Sequence, residues 1–240
     1  NKPVNDNLGY LADDNGFVRV MEDLHTMISI CHKDFPNGKV ILLGHSFGSF
    51  ISQYFIENYG SEIDGCILSG TAGPRIALSK AGHFIAKLVI FFKGKRYRST
   101  FLDNICFGSY TKKILHQKTS KDWLSRDESE VDTYIKNPLC GFLCTAGFFA
   151  DLTGGLSIIH TKKNMEQIPT DLPVFFFAGD ADPVGDYGKT IKKLVEIYKA
   201  NGMKNVSLKL YPEGRHEMLN EFNKEEVMND ILSFIKGLTE

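Results

Sequence analysis

Three residues at separate points of the chain have the types and the order needed for nucleophilic catalysis. Ser46 lies at the centre of residues 44–48, GHSFG, which match the pattern G-x-S-x-G. A neutral serine hydroxyl needs a general base to remove its proton, and that base needs a carboxylate to orient it. His216 and Asp182 could supply these two groups, because they follow the serine in the chain order Ser, Asp, His.

The GHSFG segment has the local context that gives this pattern its meaning. An apolar run at residues 39–44 predicts a strand buried on both faces, and a helical pattern follows the segment directly. Such a strand-to-helix turn strains the serine backbone, so we expect Gly44 and Gly48 to leave room around it. The Phe47 N–H would begin the helix, where unpaired donors favour a developing oxyanion.

Asp182 and His216 are both predicted to follow strands. Apolar runs at residues 173–179 and 206–211 predict these strands. The carboxyl ends of parallel strands meet at one edge of a sheet, so both residues are expected beside Ser46. Taken singly, Asp182 could be a helix cap and His216 a surface-loop histidine. Together, their order and location favour a triad of serine, histidine and aspartate.

Strand and helix patterns alternate along the chain, which predicts an α/β fold with a mainly parallel sheet and helices on both faces. The first helix is expected to begin at a cap provided by Asp13, Asp14 or Asn15. Strands are predicted at residues 39–44, 63–69, 173–179 and 206–211, and helices at residues 15–32, 47–59, 189–201 and 224–236.

Residues 73–170 interrupt this alternation. They are rich in Phe, Lys and short helical patterns, lack paired strand signals and contain Trp123, the only tryptophan. We interpret them as a mainly helical cap, inserted over the C-terminal edge of the sheet. The expected division is a first part of the core at residues 1–72, the cap at residues 73–170 and a second part of the core at residues 171–240.

Aromatic side chains in the predicted cap could form an apolar pocket over Ser46, with burial inside the cap itself as the alternative. Residues 91–98 interleave aromatic rings with cations; a solvated face is the plainer interpretation, and transient contact with a membrane surface is the other. The predicted pocket residues are Phe84, Ile85, Leu88 and Phe91 on one helical stripe, and Phe142, Phe148 and Phe149 in a second group.

Composition and charge exclude several classes of partner. The chain carries 28 Lys and Arg against 29 Asp and Glu, a formal net charge of -1, so nothing favours nucleic acid. Five cysteines, an odd number, are interpreted as reduced residues of a cytoplasmic protein. Cys140 and Cys144 have helical spacing without further ligands nearby, so no metal is expected. The sequence indicates no oligomeric state.

Three segments resemble α/β-hydrolases of the monoacylglycerol lipase and lysophospholipase type, and the resemblance covers nearly the whole chain. They are VILLGHSFGSF at residues 40–50, LPVFFFAGDADPVG at residues 172–185 and YPEGRHEMLNE at residues 211–221. The resemblance implies that the acid is the last Asp of Gly-x-Ala-Asp, which is Asp182 rather than Asp180. It also implies a serine hydrolase that cleaves a single-chain lipid ester through an acyl-enzyme, with a cap that receives the acyl chain and no cofactor.

Other functions stay open at this point. The same fold and triad also serve aminopeptidases, thioesterases and carbon–carbon hydrolases. An acidic cluster in the cap could hold the free amine of a prolyl-type aminopeptidase substrate. A non-catalytic ligand-binding module is the third interpretation, although all three triad residues are present. The acidic cluster consists of Asp127, Glu128, Glu130 and Asp132.

The start of the chain departs from the family pattern. The family's first strands, and the His-Gly loop that provides the second oxyanion donor, should precede Asn15, where the chain has no room for them. We therefore expect the 240 residues to be the C-terminal part of a longer protein, with the second oxyanion donor upstream.

Overall fold

A computed structural model describes residues 7–239 of the chain. The strands of this part are β1 (Ile41–His45), β2 (Gly65–Ser69), β3 (Val174–Gly179) and β4 (Val206–Tyr211). They form one sheet in the order β1-β2-β3-β4, and every neighbouring pair is parallel. Helices flank the sheet, so the predicted α/β fold with a parallel sheet is confirmed.

The helices of the described residues also follow the predicted alternation outside the interval between β2 and β3. Short turns of 3-10 helix add Gly60–Glu62 and Met218–Asn220. The α-helices are α1 (Gly16–Asp34), α2 (Phe47–Tyr59), α3 (Ile76–Lys93), α4 (Thr100–Phe107), α5 (Glu128–Lys136), α6 (Ala146–Ile159), α7 (Lys162–Met165), α8 (Lys189–Ala200) and α9 (Lys224–Thr239).

The inner strand β3 is packed against helices on both faces of the sheet. Every residue of β3 is buried, and neighbouring side chains alternate between the two sides of the sheet. Phe176 packs against Tyr198 of α8 in the main core. Phe175 and Phe177 face the opposite side, in a second cluster that α9 completes with Ile231. The apolar run therefore reflects helices on both faces of the sheet.

The start of α1 differs from the sequence prediction. Asn15 adopts a left-handed conformation with φ 50°, and its side chain makes no capping hydrogen bond. The Gly16 N–H instead donates to Asp151 Oδ1 at 3.2 Å, from a residue of α6 that is 135 positions away. Asn15 therefore occupies the expected N-cap position, but the prediction that its side chain caps the helix is wrong, because the acceptor comes from tertiary packing.

Helices α3 to α7 lie between β2 and β3, where the cap is predicted. Small residues let α3 approach α6 closely: Ala86 is fully buried, and a Cβ added to Gly82 would lie 3.0 Å from Thr153 Cγ2. The later part of α6 reaches the main core, which contains Leu152 and Ile159. This packing attaches the helices between β2 and β3 to the core of the sheet. The limits of the cap at residues 73–170 stay a prediction.

One stripe of large side chains on α3 faces outward, whereas Ile85 packs against the buried cluster that contains Ala86 and Phe149. Phe84, Leu88 and Phe91 are 63%, 43% and 81% exposed, so they do not line a pocket over Ser46. This part of the pocket prediction is wrong. Helical periodicity marks one stripe without saying which side it faces, and the small residues occupy the inner side here. Within residues 7–239, no helix combines the length and apolar character needed to cross a bilayer.

Candidate active site

The backbone at Ser46 has the strain that the sequence pattern predicts. Ser46 joins β1 to α2 with φ 52° and ψ -119°, a conformation that non-glycine residues rarely adopt. Its N–H donates to the Ser69 carbonyl of β2 at 3.0 Å, which ties the turn to the sheet. The serine is half-buried at the carboxyl end of β1.

The two glycines of the GHSFG segment differ in their surroundings. A Cβ at Gly44 would overlap Ser52 Oγ and lie 2.6 Å from the Gly48 carbonyl oxygen, so only glycine fits. A Cβ at Gly48 would meet no described atom within 4 Å. The prediction that the turn requires a residue without a side chain is therefore confirmed for Gly44. Among the described residues, no atom excludes a side chain at Gly48, so the prediction is wrong there.

The first turn of α2 leaves a donor beside Ser46. The Phe47 N–H makes no hydrogen bond within the described residues. Ser49 Oγ donates to the Ser46 carbonyl at 2.6 Å, and Ser49 itself is fully buried. The hydrogen bond from the buried Ser49 thus fixes the turn, while the Phe47 N–H at the helix N-terminus is free to bind negative charge.

His216 and Asp182 form a buried pair on the loops after β4 and β3. His216 Nδ1 lies 2.9 Å from Asp182 Oδ2, and the two side chains are 2% and 0% exposed. The other carboxylate oxygen, Asp182 Oδ1, accepts the Val184 N–H at 2.9 Å. Asp180 instead accepts the Glu213 N–H at 2.7 Å on the exposed side of the loop. The structure therefore pairs the histidine with Asp182 and not with Asp180.

A second histidine, His45, directly precedes Ser46 and lies beside His216. The ring centroid of His45 is 4.7 Å from that of His216, and His45 Nδ1 lies 3.0 Å from Ser69 Oγ. Burial, and next the proximity of His216, lower the pKa of His45 to about 4. His45 is therefore neutral at pH 7, so it adds no positive charge beside His216.

Gly70 lies against both histidines of the site, and the sequence analysis did not identify it as a site residue. It has φ 55°, and a Cβ at this position would lie 2.9 Å from His216 Cε1 and 3.1 Å from His45 Cε1. Only glycine leaves space for both imidazoles. The residues from Gly70 to the following proline interrupt the strand pattern in the sequence, which is the signal that could have indicated it.

A chain of aromatic ring contacts, here called the aromatic wall, links the two residues on either side of Ser46. The wall begins at Phe47 and ends at His45, the two residues on either side of the serine. Successive ring centroids are 4.7 to 6.1 Å apart, which is contact distance for aromatic pairs. In order, the rings are Phe47, Phe148, Phe149, Phe107, Tyr110, Trp123, His216 and His45. Phe148 and Phe149 are the predicted pocket residues that belong to this chain of rings, and Phe142 is half-buried against Gly9. Phe149 is 1% exposed in a buried cluster with Ala86, so a pocket over Ser46 stays a prediction.

The four carboxylates of the acidic cluster form a helix cap and three ion pairs. Asp127 caps α5 by accepting the Ser129 N–H at 2.9 Å. The other three carboxylates pair with lysines: Glu128 with Lys118 at 2.6 Å, Glu130 with Lys224 at 3.4 Å and Asp132 with Lys136 at 3.2 Å. Each of the four carboxylates therefore has a partner other than a substrate amine.

The fold and this site together define the class of the protein. A strained serine between a parallel strand and a helix, with a carboxylate and a histidine on the loops after two later strands, is the arrangement of the α/β-hydrolases. The chain belongs to the serine aminopeptidase S33 family of hydrolases, whose sequence model matches residues 7–223.

Similar proteins include lipases and an esterase. Monoglyceride lipase of Rattus norvegicus is 29% identical over 227 residues, which cover 92% of this chain and 64% of that protein. Monoacylglycerol lipase of Mycolicibacterium smegmatis is 26% identical over 234 residues, 94% of this chain and 71% of that protein. The crystal structure of a thermostable carboxyl esterase from Bacillus coagulans has a TM-score of 0.86 at 28% identity, covering 92% of this chain and 72% of the esterase. The chain therefore spans less than two thirds of the length of the rat lipase.

Proposed function

We propose that the protein is a serine hydrolase that cleaves carboxylic esters of single-chain lipids, such as a monoacylglycerol or a lysophospholipid. The observation that carries this proposal is the aromatic wall that begins and ends beside Ser46. An apolar wall next to a nucleophile suits an acyl chain, which gains from leaving water. The names of the two related lipases support the same substrate class.

The proposed reaction passes through an acyl-enzyme. His216 takes the proton of Ser46 Oγ as the oxygen attacks the ester carbonyl carbon, and Asp182 stabilises the imidazolium that forms. The Phe47 N–H donates to the carbonyl oxygen while it carries negative charge. His216 then gives its proton to the departing alcohol. Water, activated by the same histidine, releases the fatty acid and restores Ser46. No cofactor enters this sequence.

The acyl chain length is expected to control specificity. Burial of a methylene contributes about 0.8 kcal/mol, so each added pair of carbons should raise kcat/KM several-fold until the pocket is filled. A series of p-nitrophenyl esters from two to about twelve carbons measures this. Phe148→Ala should flatten the rise, because Phe148 packs 5.4 Å from Phe47. Phe84→Ala, at a position 63% exposed, is the matched control and should leave the profile unchanged.

The same assay separates the ester proposal from its rival. A flat chain-length profile in the wild-type protein would count against an acyl site. Faster hydrolysis of proline p-nitroanilide than of any ester would instead favour a prolyl-type aminopeptidase. We favour the ester because the acidic cluster is engaged in surface ion pairs.

We also propose that the protein is cytoplasmic and touches membrane surfaces transiently through the outer side of α3. All five cysteines are free thiols, as is usual in a reducing compartment. Phe91 and Phe92 are 81% and 75% exposed at the end of α3, and the cations Lys93, Lys95 and Arg96 follow them directly. Apolar rings beside cations are the combination that binds anionic lipid surfaces.

Replacing both rings, Phe91→Ser with Phe92→Ser, is expected to weaken binding to vesicles containing anionic lipid by at least about tenfold, because two apolar side chains no longer enter the interface. Co-sedimentation with vesicles measures this. Turnover of a short soluble ester should not change, since neither residue belongs to the aromatic wall. Equal sedimentation of the variant and the wild type would contradict the proposed contact surface.

A further inference from the structure

The loop that carries His216 is fastened to a segment that precedes α5. The segment of residues 119–126 runs beside residues 215–221, and two backbone hydrogen bonds join them. The His216 N–H donates to the Trp123 carbonyl at 3.3 Å, and the Glu217 N–H donates to the Leu124 carbonyl at 2.7 Å. The Trp123 ring also lies 4.9 Å from the His216 ring. The position of His216 therefore depends on a segment that is distant in sequence.

The buried carboxylate of Glu221 accepts hydrogen bonds from both of these segments. The side chain of Glu221 is 0% exposed. Its Oε1 accepts the Arg215 N–H at 2.9 Å and the Arg126 N–H at 3.0 Å, and its Oε2 accepts Arg126 Nε at 2.9 Å. Arg215 is the residue directly before His216. Glu221 thus ties the backbone at His216 to the 119–126 segment through one charged group.

The neighbouring residues complete the attachment. Arg215 Nη1 donates to the carbonyl oxygens of Asp122 and Ser125 at 2.6 Å and 2.8 Å. Ser125 Oγ donates to the Asn220 carbonyl at 2.8 Å, and Ser125 is 1% exposed. A buried charge is tolerated only when it is paired and hydrogen-bonded, and the described partners of the Glu221 carboxylate all lie in these two segments.

We propose that Glu221 is a positioning residue that holds His216 in reach of Ser46 through Arg215 and Arg126. This inference rests on the proposed function. A shift of about 1 Å in a reacting group can cost about 100-fold in rate, so the buried carboxylate that bonds to both segments is a sensitive point. Substrate does not contact Glu221, and its removal should therefore act on turnover more than on binding.

Glu221→Gln tests this proposal. The amide nitrogen would face the donors of Arg126 or Arg215, because one carboxylate oxygen is lost. We expect kcat per active site to fall about 10- to 100-fold while KM changes less than about threefold. Active sites are counted with a fluorophosphonate, which labels only a functional serine. Glu128→Gln, a 72% exposed carboxylate that pairs with Lys118, is the control and should change neither value.

The outcomes separate this proposal from the proposed function. Unchanged kcat per labelled serine in Glu221→Gln would overturn the positioning role, even if the variant is less stable. If the wild-type protein is labelled but cleaves no ester, only the proposed substrate class is contradicted. The rate at which the fluorophosphonate labels Glu221→Gln would then still test the positioning role of Glu221. If Glu221→Gln does not fold, Ser125→Ala takes its place: slower labelling supports the proposal, and labelling at the wild-type rate overturns it.

Discussion

Replacing Ser46 with alanine is expected to lower the turnover of ester hydrolysis by about a million-fold, to the level left by binding alone. The change removes the oxygen that would bond to the acyl carbon, and His216 cannot replace it. The fold should survive, since the Ser46 hydroxyl makes no hydrogen bond within the described residues, whereas its backbone N–H bond to Ser69 is kept. Turnover of a medium-chain p-nitrophenyl ester measures the loss.

A buried serine on the same helix provides the control for this variant. Ser52 is 1% exposed, and its Oγ donates to the Gly48 carbonyl at 2.9 Å. Ser52→Ala removes a hydroxyl of the same type without touching the proposed nucleophile, so it should keep turnover within about tenfold of the wild type. Retention of more than about one per cent of activity by Ser46→Ala would show that another residue performs the attack.

Local patterns explain why much of this architecture could be predicted from the sequence. β3 is buried on both faces, and its apolar run carries that information without reference to any other segment. The serine turn is similar, because the glycine before it is required by contacts within a few residues. The proximity of Asp182 to His216 then follows from parallel strands whose carboxyl ends meet at the same edge of the sheet.

Long-range contacts explain what could not be predicted. The cap of α1 comes from Asp151, and the support of His216 comes from residues 119–126; neither partner is near its target in the sequence. The outward face of α3 was missed for a related reason. Its large residues form the more obvious stripe, but the small residues Gly82 and Ala86 decide which side packs against α6.

Asp182→Asn is expected to lower turnover by about four orders of magnitude through the tautomer of His216. Val184 fixes the outcome, because its N–H donates to Asp182 Oδ1 and would select the amide oxygen of asparagine at that position. The amide nitrogen would then face His216 Nδ1, which accepts its hydrogen bond. The histidine proton would move to Nε2, where it prevents the ring from taking the proton of Ser46.

Asp180→Asn is the matched control, because it makes the same chemical change two residues earlier. Within the described residues, the Asp180 side chain accepts the Glu213 N–H, and an asparagine oxygen can accept that bond equally well. Turnover should therefore stay within a few-fold of the wild type. Comparison of kcat for the two variants on one ester decides between the carboxylates: a larger loss for Asp180→Asn would mean that the histidine depends on a different acid from the one 2.9 Å from its Nδ1.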